Sequence, residues 1–311
     1  MRKVATVIVI VLIAAMALIM IYSEQKSLKS SKQPRVTVST FALYDISRYL
    51  LQEIADVSML VPFGKDIHTY EPSPKEIVRL KQSRFFIFNG AGLEPWAEKF
   101  ASHPNSVDMS RFVTLRELDV SEDHHAKHHH EDHAHQYDPH YWLDIGNMVA
   151  ATKKLTDLYK DAFGAESSEK ILKRSIAYIK MLRTLDELYQ SRLASCRRDL
   201  IIVDHNAYGY LGARYGFKIL SLNGLSTDAV PNAKTVAHLS DIVHQKEIWT
   251  LFSEPFGNDR LIRSVAEAAQ VEVDTLQPLA NITEREEREQ HDYRLTMQLN
   301  LKKLHDALDC E

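Results

Sequence analysis

The chain has 311 residues, enough for two domains or one large one, with 45% hydrophobic and 26% charged residues and a formal net charge of −4. That balance supplies no basic face and excludes a nucleic-acid partner as a leading reading. Two cysteines, Cys196 and Cys310, lie too far apart to form a thiolate zinc pattern. They can pair in an oxidising compartment, but their spacing in sequence leaves their separation in space open.

In chain order, the first element is apolar. Arg2 and Lys3 precede an uninterrupted run from Val4 to Tyr22, 19 residues long. Positive charge before such a run reads as an export signal or a retained membrane anchor, since about 20 apolar residues span a bilayer. Residues 1–22 are assigned to this segment, and either form places the body outside the cytoplasm, in a periplasm. The Ser- and Lys-rich residues 23–34 read as a linker.

From Arg35 onward, short β-rich runs alternate with helical patterns. Strands are predicted at Arg35 to Thr40, Val57 to Phe63 and Arg84 to Gly90, with helices at Tyr44 to Ala55, Ser73 to Gln82 and Pro95 to Ser102. Short apolar runs between helices suggest parallel strands covered on both faces. Residues 119–136 then form a long insertion with neither period. Seven of the fifteen histidines fall inside it: His124, His125, His128, His129, His130, His133 and His135. Imidazole at this density binds zinc and its neighbours whatever the fold, and Glu122, Asp123, Glu131 and Asp132 add negative potential.

A helical stretch follows from Asn147 to Ala194. Its second part keeps Ile171, Ile176, Ile179, Leu182, Leu185, Tyr189 and Leu193 near one face, with Ser167 or Ser168 as N-cap. About 26 residues make a helix of about 39 Å, long enough to tie two stacked lobes together. The second half repeats the first rhythm. Strands are expected at Leu200 to Val203, Phe217 to Leu222, Ile248 to Phe252 and Val271 to Leu276. Helices are expected at Tyr208 to Tyr215, Asn232 to Gln245 and Asp259 to Ala269, and a last one from Glu286 to Leu308. The fold class is therefore α/β: two lobes, each with a mostly parallel sheet flanked by helices, joined by one long helix. The divisions are residues 35–165, 166–195 and 196–311.

Ligands collect at the carboxyl ends of parallel strands. Three histidines outside the insertion fit that placement: His68 in GKDIHTYEPSP, His140 in DPHYWLD and His205 in IIVDHNAYGY. Three converging imidazoles would leave zinc one position short of tetrahedral. A lone histidine after a strand is more often a surface or hydrogen-bonded residue, and His103, His238, His244, His291 and His305 keep that reading.

The other three are set apart by their surroundings. G-x-D-x-H-x-Y-E-P-S-P, D-P-H-x-W-L-D and D-H-x-A-Y-G-Y, with a His-rich insertion between the first two, resemble the metal-binding solute-binding proteins of bacterial zinc and manganese ABC transporters. The likeness is closest to the high-affinity zinc-uptake branch. It covers Arg35 to Leu308, including NGLSTDAVPNAKTVAHL and LFSEPFGNDRLIRSVAEAAQVEV. It implies two α/β lobes with metal at their interface, ligand roles for His68, His140 and His205, an ABC permease partner and a monomer that catalyses nothing.

One departure matters. The family commonly carries V-x-V-x-x-L-D-P-L-G, where the aspartate can be a fourth ligand, and here Gln277 stands in that position. An amide is a poorer zinc ligand than a carboxylate. The fourth position is thus water, a histidine of the insertion, or Gln277 bound weakly; Asp274 faces the other side of its strand. A nitrogen-rich site suits Zn2+, copper or nickel better than manganese. Manganese-specific relatives tend to have an acid where this chain has His205, which strengthens zinc. The insertion itself has three readings: a collector of ions, a sensor of plentiful zinc, or a solvated segment with incidental affinity.

Two other functions are compatible with the residues. Three histidines plus water also make a zinc hydrolase or hydratase, for which Glu254 is the candidate base. No H-E-x-x-H occurs. A surface-anchored metal-binding adhesin is the third reading, which the N-terminal segment would permit.

Overall fold

The computed structural model describes residues 35–118, 137–222 and 233–311. The N-terminal apolar segment, the linker, the His-rich insertion and the NGLSTDAVPN stretch lie outside the described residues. Among those described, no helix is long and apolar enough to cross a membrane.

The apolar runs become two four-stranded sheets. The first holds β1 (Arg35–Val38), β2 (Asp56–Met59), β3 (Phe85–Phe88) and β4 (Ser106–Asp108) in the order β2-β1-β3-β4, and the second holds β5 (Leu200–Val203), β6 (Lys218–Ser221), β7 (Thr250–Ser253) and β8 (Glu272–Thr275) in the order β6-β5-β7-β8. Every pairing is parallel. The inner strands FFIF and LIIV are almost wholly buried, as sheets covered on both faces require. Strand β4, with the sequence SVD, was not predicted. Its single apolar residue gives no alternating signal, and only its register against β3 makes it a strand.

The covering helices are α1 (Phe41–Leu51), α2 (Pro74–Lys81), α3 (Ile145–Ala162), α4 (Ala165–Arg192), α5 (Gly209–Tyr215), α6 (Ala233–Gln245), α7 (Arg260–Ala269), α8 (Glu284–Arg288) and α9 (Tyr293–Ala307). Local chemistry sets several of their starts. Ser73 and Glu76 form a capping box on α2, with Pro74 opening the helix. The residues Pro95–Phe100, expected as an α-helix, form a 3-10 turn instead.

Helix α4 is the connecting helix, 28 residues long and about 42 Å at 1.5 Å per residue. It starts earlier than expected, because Gly164 at φ 80° is its N-cap. Ser168 instead donates to the carbonyls of Lys160 and Gly164 at 2.7 and 3.0 Å, closing the α3–α4 corner. The buried stripe also differs. Ile171, Ser175, Tyr178, Leu182, Leu185 and Tyr189 face inward at steps of three and four, while Ile176 is 63% exposed. Five positions from Ile171 rotate a side chain about 140° around the helix, too far to share its face.

The predicted last helix is two. Thr283 and Glu286 form a capping box on α8, the chain reverses through Gln290 at φ 58°, and Asp292 caps α9 by accepting from Leu295 N at 2.6 Å. Helix α9 then packs back on the connecting helix, where Tyr189 Oη donates to Met297 O at 2.6 Å. A single apolar core takes in residues of β1, α1, α3, α4, β5 and α9, so the two sheets share it. A second cluster, including Ile202, Leu251, Leu261 and Val265, covers the outer face of the second sheet.

Cys196 and Cys310 form a disulfide across 114 residues. Around it Arg198 N donates to Leu308 O at 3.0 Å and Glu311 N to Ser195 O at 3.1 Å, which ties the end of α9 to the end of α4. Replacing both cysteines with serine should lower stability by about 2–5 kcal/mol. Thermal denaturation should show a loss of order 10 °C, and an unchanged melting temperature would count against the tie.

Asp45 on α1 is 5% exposed and accepts from Tyr178 Oη on α4 at 2.6 Å. Burial, reinforced by the charge of Asp292, raises its pKa from 3.8 to about 6 against the pull of the Tyr178 hydrogen bond. The folded chain therefore keeps a proton that the unfolded chain releases. The resulting stability is complete below pH 3.8 and is lost as pH rises through 6. Asp45→Asn should flatten that part of the melting-temperature profile, measured across pH 3.5–7.

Candidate metal centre

Both sheets reverse their winding beside the first strand of each lobe, between β1 and β3 and between β5 and β7. Such switch points open a crevice at the carboxyl ends of the strands. Directly after β5 come Asp204 and His205, and directly after β7 comes Glu254. In the first lobe Asn89 follows β3, and its Nδ2 donates to Pro139 O at 3.0 Å, holding the backbone just before His140. His68 lies on the loop between β2 and α2. Asn281, from the loop after β8, donates to the carbonyls of Pro62 and Lys65 at 2.8 Å each and fixes that loop from the other lobe.

The three histidines meet there. Ring centroids are 5.5 Å apart for His68 and His140, 5.0 Å for His68 and His205, and 5.0 Å for His140 and His205. One nitrogen of each ring lies within 4.8 Å of the other two. His140 and His205 are each 1% exposed, and His68 is half-buried. His103, His238, His244, His291 and His305 stay outside this group.

Carboxylates set the orientation of the two buried rings. Asp138 Oδ1 lies 2.8 Å from His140 Nδ1, and Glu254 Oε1 lies 3.0 Å from His205 Nδ1. A carboxylate that accepts from Nδ1–H leaves Nε2 as the lone-pair nitrogen of the neutral ring. Both Nε2 atoms are buried and have no hydrogen-bond partner among the described residues. This is the arrangement of a metal-binding imidazole whose far nitrogen is fixed by an acid. At His205 burial favours the neutral ring, but the charges of Glu254, Asp204 and Asp66 prevail and raise its pKa. Asp204 is itself raised to about 7 by burial and by Glu254.

The space between them is about 20 Å³ and partly open, lined by His68, His140, His205, Asp66, Glu254 and Asn281 among others. That holds an ion or one water molecule and no organic substrate. Gln277 does not line it. Its Nε2 donates to Glu286 Oε2 at 2.9 Å and its Oε1 accepts from Leu279 N at 3.3 Å. Pro278, Ala280 and Asn281, just after it, do line the cavity. Asp274 is paired with Lys303 at 2.9 Å, away from the site. The seven histidines of the insertion lie outside the described residues.

Sequence reasoning missed Asp66 and Asp138, and it offered Glu254 as the base of a hydrolase or as a structural group bonding backbone amides, not as the partner of His205. A signal for the aspartates was present: both D-I-H and D-P-H place an acid two residues before the histidine. In each the carboxylate accepts from the histidine N–H, at 2.9 Å. This is the Asx turn, a local bond that aims the following side chain.

Two parallel-stranded lobes, a connecting helix and a histidine triad at their interface define a two-lobed metal-binding protein of the solute-binding class. The chain belongs to the ZnuA family, described as zinc-uptake complex component A, periplasmic, which matches residues 36–307. It is 26% identical over 287 residues to the zinc-binding lipoprotein AdcA of Streptococcus pneumoniae (strain R6), covering 89% of this chain and 56% of that protein. The chain thus spans a little over half the length of the streptococcal relatives it matches. It is 28% identical over 295 residues to the high-affinity zinc uptake system protein ZnuA of Bacillus subtilis (strain 168), covering 92% of each. The crystal structure of the Zn(II)-bound ZnuA-like domain of Streptococcus pneumoniae AdcA superposes with a TM-score of 0.75 at 25% identity, covering 89% of this chain and 99% of that one.

Asp138→Asn and Glu254→Gln keep shape but weaken the hold on each ring. Each should lower affinity for a divalent ion about 10–100-fold, measured by competition with a chromophoric chelator. Unchanged affinity in both would mean that the carboxylates do not support ligands.

Proposed function

We propose that the protein is an extracytoplasmic solute-binding protein that captures Zn2+ with His68, His140 and His205 and delivers it to the membrane permease of an ABC importer. The observation that carries this reading is the pair of buried Nε2 atoms, without partners among the described residues, at a cavity of ion size. Three nitrogen donors favour zinc over the harder manganese and magnesium ions. Water, Asp66, or a histidine of the insertion supplies the fourth ligand, since the amide of Gln277 is engaged elsewhere. The permease follows from membership of an uptake-complex family. The Cys196–Cys310 disulfide suits a compartment outside the cytoplasm, which residues 4–22 would direct the chain to reach.

Residues 119–136 act in this reading as an auxiliary collector. Their carboxyl end runs through Tyr137 to His140, so ions gathered on His124 to His135 are released close to the tight site. The hydrolase reading is disfavoured by the size of the cavity. Glu254 is also bonded to the Nδ1 of His205, where it orients the ring. The family is one of uptake components rather than enzymes. No observation among the described residues favours adhesion.

Zinc stoichiometry and affinity by chelator competition test the proposal, on residues 35–311, with and without 121–136, and with His140→Ala. One tight site should survive deletion of the insertion. It should weaken more than about 100-fold in His140→Ala, because even the groups that merely support a ligand are worth 10–100-fold. Loss of tight binding with the insertion, and its persistence in His140→Ala, would overturn the ligand set.

A further inference from the structure

His140 stands in the turn 138–144, which leads into α3 of the first lobe, yet residues of the second half grip it at both ends. Tyr210 on α5 donates from Oη to Asp138 O at 2.9 Å and accepts from Arg116 N at 2.7 Å. One helical turn later Arg214 donates from Nη1 to Asp144 Oδ1 at 3.2 Å. Positions i and i+4 share a helix face, so one side of α5 reaches both flanks of the turn. The same guanidinium forks onto Asp186 of the connecting helix, through Nε at 2.7 Å and Nη2 at 2.6 Å. In the middle of the turn, Trp142 Nε1 donates to Pro278 O and Trp142 O accepts from Tyr293 Oη, both at 2.7 Å.

The grip lands on the groups that orient His140. Asp138 pins its Nδ1, and Asp144 caps α3 by accepting from Gly146 N at 2.6 Å and Asn147 N at 3.2 Å. Close approach is required at both contacts. A Cβ at Gly209 would collide with the Arg116 guanidinium and the Asp138 carboxylate, and one at Gly146 would lie 2.8 Å from Asp144 Oδ1. Helix α5 begins at Gly209, four residues after His205. The element that continues from one histidine therefore holds the turn that carries another.

We infer that α5 is a clamp across the lobe interface, in which Tyr210 and Arg214 are positioning residues that fix the spacing of His140 from His205. The inference rests on the reading of His68, His140 and His205 as the zinc ligand set. Neither residue touches the ion. Both keep two imidazoles at their 5.0 Å separation before the ion arrives, so that binding does not have to order them.

The test uses the whole protein and reads zinc release to a chelator together with the visible absorption of the Co2+ form, which reports ligand geometry. Tyr210→Phe and Arg214→Gln should each speed release about 10-fold, the lower end for groups that support a ligand, while one metal per chain remains bound. Both should shift or broaden the Co2+ bands, and Arg214→Lys should recover part of the loss. Asp144→Asn removes one partner from a partly exposed position and serves where Arg214→Gln fails to fold; it too should speed release and alter the spectrum. If the variants melt at lower temperature but release zinc and absorb like the parent, Tyr210 and Arg214 are structural only and the clamp is wrong. His140→Ala separates the two readings. If it leaves tight binding intact, the ligand set fails and the clamp falls with it; if it abolishes binding while the α5 variants change nothing, the clamp alone fails.

Discussion

A buried nitrogen lone pair left without a partner costs about 1–3 kcal/mol, and no other described residue offers one to the Nε2 of His140 or His205. A carboxylate bonds the opposite nitrogen of each ring and prevents the ring from turning to find another partner. Much of the surrounding architecture serves this constraint. Asp138 is held by the hydroxyl of Tyr210 through its carbonyl, and Glu254 N is bonded to Asp204 Oδ2 at 3.2 Å. A cation in the cavity meets both lone pairs at once and turns the penalty into binding energy.

Rigidity is what allows a site to be shared between lobes. A protein whose lobes swing freely has to close around its ion and bears the entropy of that ordering at the moment of binding. Here the apolar core runs through both sheets, a single helix braces them, and α9 returns from the second lobe to pack against that brace. The disulfide fixes the far end of α9 to the far end of α4. The cavity is consequently formed in advance and is of the size of a single ion.

Much of this was legible in the sequence, and the failures have physical causes. The strands at FFIF and LIIV and the long amphipathic helix were clear because burial on both faces, or on one stripe, leaves a periodic trace. Ile176 misled because an isoleucine signals burial whether or not its angle on the helix permits it. Strand β4 left no trace, since pairing with β3 makes it a strand and its own composition does not. The break between α8 and α9 was written in Thr283, Glu286 and Asp292, which are strong caps that a continuous helix would not need.

The sequence by itself determined the order of elements, the chemistry of the donors and the two D-x-H turns, because each depends on residues within a few positions of one another. Only the tertiary structure decided that Glu254 supports the ring of His205 and that Cys196 meets Cys310. These depend on the approach of segments far apart in the chain: His205 and Glu254 are 49 residues apart, and the cysteines 114. Contacts of that kind are set by how two sheets pack on one helix, and no local pattern of residues encodes the distance between them.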